Sequence, residues 1–366
     1  MSHQALVSGS HLHHHPRMPR LGYRPELDGL RGLAGLLVVL AHTEIGPFRA
    51  GGYVGVEMFF VLSGFLITTL LLQEGDANGR ISLLAFYGRR LRRLGPALAG
   101  LLGALVVAAV WAQSTAELPG IAAALTYTSN VWSAQGHDLG ATNHLWSLAV
   151  EEHFYLLWPL LLVLVGGKDS RVAALAGAGI VLSLVARFSL DDPVHLYYGT
   201  DTRVAALVIG AMAAVLRRRG FAPPTFHLGL ILLISQAFTG SAAETDLHRT
   251  GFLIVDLAMV CVLLGASPSA PGLRLGLASR PMVWLGSISY ALYLWHAPLQ
   301  HLTDHGVATL IGSVAVAWAS TAWIESRYRA PRRAQEAAGT DDRIMDLPRV
   351  ERPEGRRRAR VHRLDS

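Results

Sequence analysis

Apolar residues arrive in this chain in about ten long blocks, near 28–46, 53–73, 95–113, 146–166, 171–189, 202–216, 226–242, 251–267, 282–302 and 306–325. A block of roughly 17–25 apolar residues is long enough to cross the hydrocarbon core of a bilayer. There it must be helical, because every backbone N–H and C=O has to be satisfied within the segment. The pattern predicts an all-α fold, a polytopic transmembrane helix bundle of about ten spans. Composition agrees, since 51% of the 366 residues are hydrophobic and 16% are charged, against about 25% charged in ordinary globular domains.

Charge in the connecting segments orients the bundle. With the N-terminus inside, the cytoplasmic loops are 74–94, 167–170, 217–225, 268–281 and the tail from 326. They carry Arg80, Arg89, Arg90, Arg92, Arg93, Lys168, Arg217, Arg218, Arg219, Arg274, Arg280 and a basic tail. The opposite loops carry Arg49, Arg249 and little else, and 114–145 has neither Lys nor Arg. Lys and Arg concentrate on the cytoplasmic side of membrane proteins. An even number of spans with both N- and C-termini cytoplasmic, in the cell membrane, is therefore expected. Basic loops of this kind mark topology rather than nucleic-acid binding.

The ordered domain is expected over 24–330. Residues 1–23 read as a disordered leader rich in His, Pro and Arg, with no signal-peptide cleavage site. The cluster His11, His13, His14 and His15 there has metal-ligand chemistry, but a disordered leader is the better account of it. Residues 331–366 read as a basic disordered tail at the lipid surface. A single cysteine, Cys261, excludes a disulfide framework and a thiolate metal site, and no metal is called for.

Ionisable residues inside apolar helices are costly unless they face protein or water, so they mark candidate sites. Arg31 and His42 are eleven residues apart in one apolar run, within about 20° of the same helix face and about 16 Å apart along it. Glu57 lies at a depth like that of His42 and is placed to orient the imidazole; a helix-terminal acid stabilised by the dipole is the structural alternative. Ser63, on the same span, reads as packing or bonding the preceding turn. Arg90 and Arg93, one turn apart, make a fork suited to phosphate groups. Glu151, Glu152 and His153 open the fourth span, and the two acids point about 100° apart, so only one can face His42. Trp146, Tyr155 and Trp158 read as interfacial aromatics. Asp201 reads as a helix cap ahead of Arg203, His296 lies in the outer half of the ninth span, and Glu325 reads as a membrane-edge anchor.

In order, the segments LDGLRGLAGLLVVLAH, GYVGVEMFFVLSGFLIT, FYGRRLRRLGPAL, LWSLAVEEHFYLLWP, DTRVAALVIGA and SYALYLWHAPL resemble the membrane-bound acyltransferase-3 family. That group includes bacterial O-antigen and peptidoglycan O-acetyltransferases and macrolide O-acyltransferases. The resemblance runs from about 24 to about 330. It implies a ten-helix enzyme that takes an acyl group, usually acetyl, from cytoplasmic acyl-CoA and delivers it to a hydroxyl. His42 matches the family's essential histidine, as general base or transient acyl carrier. Arg31 is its motif partner, and Arg90 and Arg93 match the arginine pair linked to the donor. Glu57 stands where the family usually has Asp, and His153 where Gln is common. The soluble esterase-like domain that some relatives carry is not seen, which implies transfer by the membrane domain alone or with a separate partner.

The expected partners are acyl-CoA (acetyl-CoA foremost), the lipid bilayer, and an acceptor that is a cell-surface glycan, a lipid-linked sugar or a small hydroxylated metabolite such as a macrolide. A thioester is already activated, so a base at the hydroxyl and a cationic cradle for the donor suffice. Charged residues on one helix face also suit a proton-coupled transporter. Inverted repeats would mark that alternative, and none is evident.

Overall fold

The computed structural model describes residues 24–43, 45–48, 51–239, 247–266, 276–303 and 305–328. The expected leader, tail and N-terminal histidine cluster lie outside these. The described residues contain helices and no strand. The long helices are α1 (Pro25–His42), α2 (Gly51–Asn78), α3 (Leu83–Trp111), α6 (Trp146–Leu164), α7 (Asp169–Ser189), α9 (Thr200–Arg218), α10 (Phe226–Thr239), α11 (Phe252–Gly265), α12 (Arg280–Gln300) and α13 (Gly306–Ser320). Short helices α4 (Leu118–Leu125), α5 (Ser129–Ala134) and α8 (Pro193–Tyr198) and a 3-10 turn at Gly140–Leu145 join them. The segment 114–145, expected as a loop, is thus largely helical, with Pro119 in the first turn of α4, where its missing N–H costs nothing.

Seven helical stretches among the described residues are long and apolar enough to cross a membrane. They are Gly51–Asn78, Leu83–Trp111, Gly140–Leu164, Asp169–Ser189, Pro193–Arg218, His248–Gly265 and Gly306–Tyr328. The expected spans near 28–46, 226–242 and 282–302 are helical but fall outside that set. The first opens with Glu26, Asp28 and Arg31 in its early turns. The second is 14 residues long, and α12 carries Ser, Tyr and His along its length.

Successive long helices alternate in direction. At one end of the bundle Arg218 bonds Asp76 and Asp169, Arg89 bonds Glu74, and Arg24 and Arg217 reach the Ala266 carbonyl. These join the starts of α1, α3 and α7 to the ends of α2, α9 and α11. At the other end Gln300 donates to the His42 carbonyl, Arg249 bonds Asp191, and Asn130 bonds Thr200.

Two close crossings set the register. A Cβ on Gly286 would lie 1.9 Å from the Asp28 carbonyl oxygen, so α12 can lie against α1 only with glycine there. A Cβ on Gly64 would lie 1.8 Å from the Leu207 carbonyl, which holds α2 against α9. Small residues at such contacts let helix backbones approach. Gly32 of α1 meets Gly286. Ten residues, about 15 Å, beyond each glycine stand His42 and His296.

Candidate active site

Three arginines face one cavity. Arg31 from α1, Arg90 and Arg93 from α3, Ser63 from α2, Ser147, Glu151 and Tyr155 from α6 and Ser289, Tyr290 and Tyr293 from α12 line a space with roughly 70 Å³ open to water, walled on one side by Phe59, Phe60 and Leu66. Arg31 sits about 9 Å along α1 and Arg90 about 10 Å along α3, so the cavity is inside the bundle rather than at its end. The Arg90 guanidinium lies over the Tyr155 ring, 3.4 Å from its centroid, and 4.0 Å from Glu152. The attraction of the ring face for the cation helps hold it in place, and the Arg90 Nε is buried with no hydrogen-bond partner. Ser63 donates to Glu151 at 2.8 Å. Outside the membrane-spanning segments, Tyr127 flanks this cluster between α4 and α5. Burial pushes its phenol up to about 12, with the Glu152 carboxylate adding to the rise and Arg90 opposing it, so it stays a neutral donor at ordinary pH.

His42 lies beyond the cavity, exposed at the end of α1. Its Nδ1 is 2.8 Å from the Val38 carbonyl. A carbonyl only accepts, so Nδ1 carries the proton and Nε2 is the basic nitrogen. Its ring meets the edge of His296 at 4.9 Å between centroids, and His296 in turn meets His144 at 5.1 Å. Tyr293 joins this group to the cavity. It lines the cavity, contacts the rings of both His144 and His296, lies 2.5 Å from the Ser147 hydroxyl and donates to the His144 carbonyl at 2.7 Å. Pro298, inside α12, has no N–H for the Leu294 carbonyl four residues earlier. His144 Nε2 donates to that carbonyl instead, at 3.1 Å. The cavity and His42 are therefore separated by a thin septum of Tyr293, Ser147, His144 and His296.

The chain matches the acyltransferase domain family Acyl_transf_3 over residues 24–324. The chain belongs to the acyltransferase-3 family. It is 34% identical over 312 residues to the peptidoglycan O-acetyltransferase OatA of Listeria monocytogenes serovar 1/2a, covering 77% of this chain and 50% of that protein. It is 31% identical over 314 residues to the O-acetyltransferase OatA of Staphylococcus aureus (strain NCTC 8325), covering 76% of this chain and 50% of that one. The chain spans about half the length of these relatives. No solved structure matches it.

Within this acyltransferase-3 bundle, the residues expected from sequence fall into three places. Arg31, Arg90, Arg93, Ser63 and Glu151 share the cavity, with Glu152 at the edge beside Arg90. Ser63 donates across to Glu151 rather than into its own preceding turn. His42 and His296 meet at the far side of the septum.

The third place is separate. Glu57, expected to orient His42, is fully buried and ion-paired with Arg203, also fully buried. The Arg203 guanidinium lies over Phe252, 3.7 Å from its centroid, with Asp256 and Arg187 in electrostatic reach. Arg187 donates to the Thr202 carbonyl at 2.7 Å. Depth and azimuth both differ: α2 meets His42 at Gly52, five residues before Glu57, and Glu57 faces α9 and α11 while His42 faces α12.

Other expectations are corrected locally. Trp146 is not interfacial but buried, packed on Phe60, Tyr197 and Tyr198. Tyr155 and Trp158 are buried as well, and Trp158 donates to Thr68 at 2.8 Å. Asp201 does not cap α9, whose N-cap is Gly199; it pairs instead with His195 at 2.9 Å. Glu325 is no edge anchor. It is buried in a π turn, where Thr321 donates to it at 3.0 Å. Cys261 is half-buried and unbridged.

Sequence reasoning missed His144, Ser147, Tyr293, Arg187 and Asp256. The last two carried a signal, since each is a charge inside an apolar run. His144 lies in a segment read as loop, and nothing local distinguishes Tyr293 from a packing tyrosine. Among the described residues no group of His, Cys, Asp and Glu is arranged to hold a metal ion.

Proposed function

We propose that the protein is an integral-membrane O-acyltransferase that moves an acyl group, acetyl foremost, from cytoplasmic acyl-CoA to a hydroxyl of a cell-surface glycan. The observation that carries this is the placement of Arg31, Arg90 and Arg93 around one cavity, with His42 joined to it through Tyr293 and His296. The three guanidiniums suit the phosphates and thioester oxygen of an acyl-CoA donor. The neutral His42 Nε2 is free to take the proton of an acceptor hydroxyl, which then attacks the thioester carbonyl and expels CoA.

We place both termini and the basic helix ends on the cytoplasmic side of the cell membrane, with ten spans. The gathering of Arg24, Arg89, Arg217 and Arg218 at one end supports that orientation. It puts the arginine cavity within reach of cytoplasmic donor and His42 at the outer surface. The relatives' names make peptidoglycan the first acceptor to try; a lipid-linked sugar or a small hydroxylated metabolite would use the same machinery.

The test is turnover by the purified protein in liposomes with radiolabelled acetyl-CoA and soluble peptidoglycan fragments, read as CoA release and labelled fragment. Wild type is expected to release CoA and His42→Ala to lose at least about 100-fold, the scale of a positioned acid–base group. Equal rates for the two would overturn the role of His42. Solute uptake dependent on His42, without CoA release, would make the protein a transporter.

A further inference from the structure

His296 is fully buried, and its Nδ1 lies 2.6 Å from the Tyr293 carbonyl. As with His42, a carbonyl partner fixes the proton on Nδ1 and leaves Nε2 as a bare lone pair. That Nε2 is buried without a hydrogen-bond partner. Its imidazole neighbours have no N–H to offer, because His42 gives its proton to Val38 and His144 gives its own to Leu294. A buried acceptor left without a donor is unfavourable. A donor appears beside it at one moment only, when His42 has taken a proton at Nε2 and become an imidazolium.

We propose that His296 is a proton-relay residue acting through His42. The inference rests on the reading of His42 as the base of acyl transfer. The acceptor O–H breaks and its proton goes to His42 Nε2. The oxygen bonds to the acyl carbon, and the carbon–sulfur bond breaks to leave CoA as thiolate. The His42 Nε2–H then breaks as His296 Nε2–H forms, which returns His42 to its neutral state. The His296 Nε2–H then breaks, the Tyr293 and Ser147 hydroxyls each gain one proton and give one up, and the S–H bond of CoA forms; Tyr293 adjoins the His296 ring, Ser147 adjoins Tyr293, and both line the donor cavity. The sum is an ester and CoA thiol, with no net proton released on the acceptor side. The septum that separates donor cavity from acceptor mouth is then also the route by which their protons balance.

The test uses the same liposomes, acetyl-CoA and peptidoglycan fragments, with His296→Ala, His296→Gln and the His42→Ala control. Glutamine keeps hydrogen-bonding groups but cannot take up and pass on a proton, whereas alanine leaves a space that added imidazole can fill. The expected result is that both variants lose kcat by about 100-fold, with KM for acetyl-CoA changed by less than about twofold, and that free imidazole restores His296→Ala but not His296→Gln. Wild-type kcat in His296→Gln overturns the relay, because hydrogen bonding alone would then suffice. Loss in His296→Ala that imidazole does not repair, with KM rising alongside, also overturns it and leaves a packing role. If His296→Ala is not recovered folded, His296→Gln decides: a 100-fold loss in kcat at unchanged KM upholds the relay, and near-wild-type kcat ends it. Should His42→Ala match wild type, the parent reading fails instead.

Discussion

Two groups of acids and arginines sit inside this bundle, and they are built on opposite terms. Around Glu57, two arginines and two acids from α2, α7, α9 and α11 are sealed in the core: the ion pair of Glu57 with Arg203 has no exposure on either side chain. Around Glu151, Arg31, Arg90 and Arg93 share a cavity, and the Arg90 guanidinium lies over the Tyr155 ring, 4.0 Å from Glu152. Charge inside an apolar helix marks function by default, yet only one of these groups leaves space for a ligand. What separates them is open volume beside the charges. The sealed group is neutral by count and ties four helices together. The open one sets its arginines beside empty volume.

That contrast can be broken by substitution. The largest effect is expected from Glu57→Leu, which strands a buried Arg203 and costs about 3–5 kcal/mol, read as loss of folded protein in a thermal unfolding assay. Adding Arg203→Met to Glu57→Leu removes both charges and is expected to recover most of that stability. A double variant as unstable as the single one would mean that the sealed group does more than balance charge. Next in size, Arg90→Lys keeps the charge but loses the planar guanidinium over Tyr155. KM for acetyl-CoA is expected to rise about tenfold, or about 1.4 kcal/mol, and an unchanged KM would detach the cavity from the donor. The smallest stability effect belongs to Glu151→Gln. The amide oxygen still accepts from Ser63, so unfolding should shift by less than about 0.5 kcal/mol while CoA release falls. A shift as large as that of Glu57→Leu would erase the distinction between the two groups.

Much of the site was visible in the chain because charge in an apolar run is conspicuous. Arg31, Arg90, Arg93 and Glu151 each stood out that way, and all reach one cavity. What the chain could not show was how its helices meet. Glu57 and His42 were expected at one depth, but α2 meets His42 at Gly52, five residues before Glu57; the acid lies deeper and pairs with Arg203, 146 positions away, and the imidazole is left for His296. Burial of Trp146 was hidden for a related reason. An aromatic at a helix end looks interfacial until the short helix α8, too short to show as an apolar run, packs Tyr197 and Tyr198 against it. His144 became a site residue only through a carbonyl freed on a helix 150 residues downstream.

That carbonyl gives Pro298 an influence its own side chain never exerts. By withholding an amide proton, the proline dictates which nitrogen of His144 is protonated, and so which face of that ring the neighbouring imidazoles meet. Any other residue at 298 would let the helix reclaim the carbonyl and set the tautomer loose. The acid–base character of the cluster is thus heritable at a position that contributes no titratable group, and a search for tuning mutations confined to ionisable side chains would pass it by.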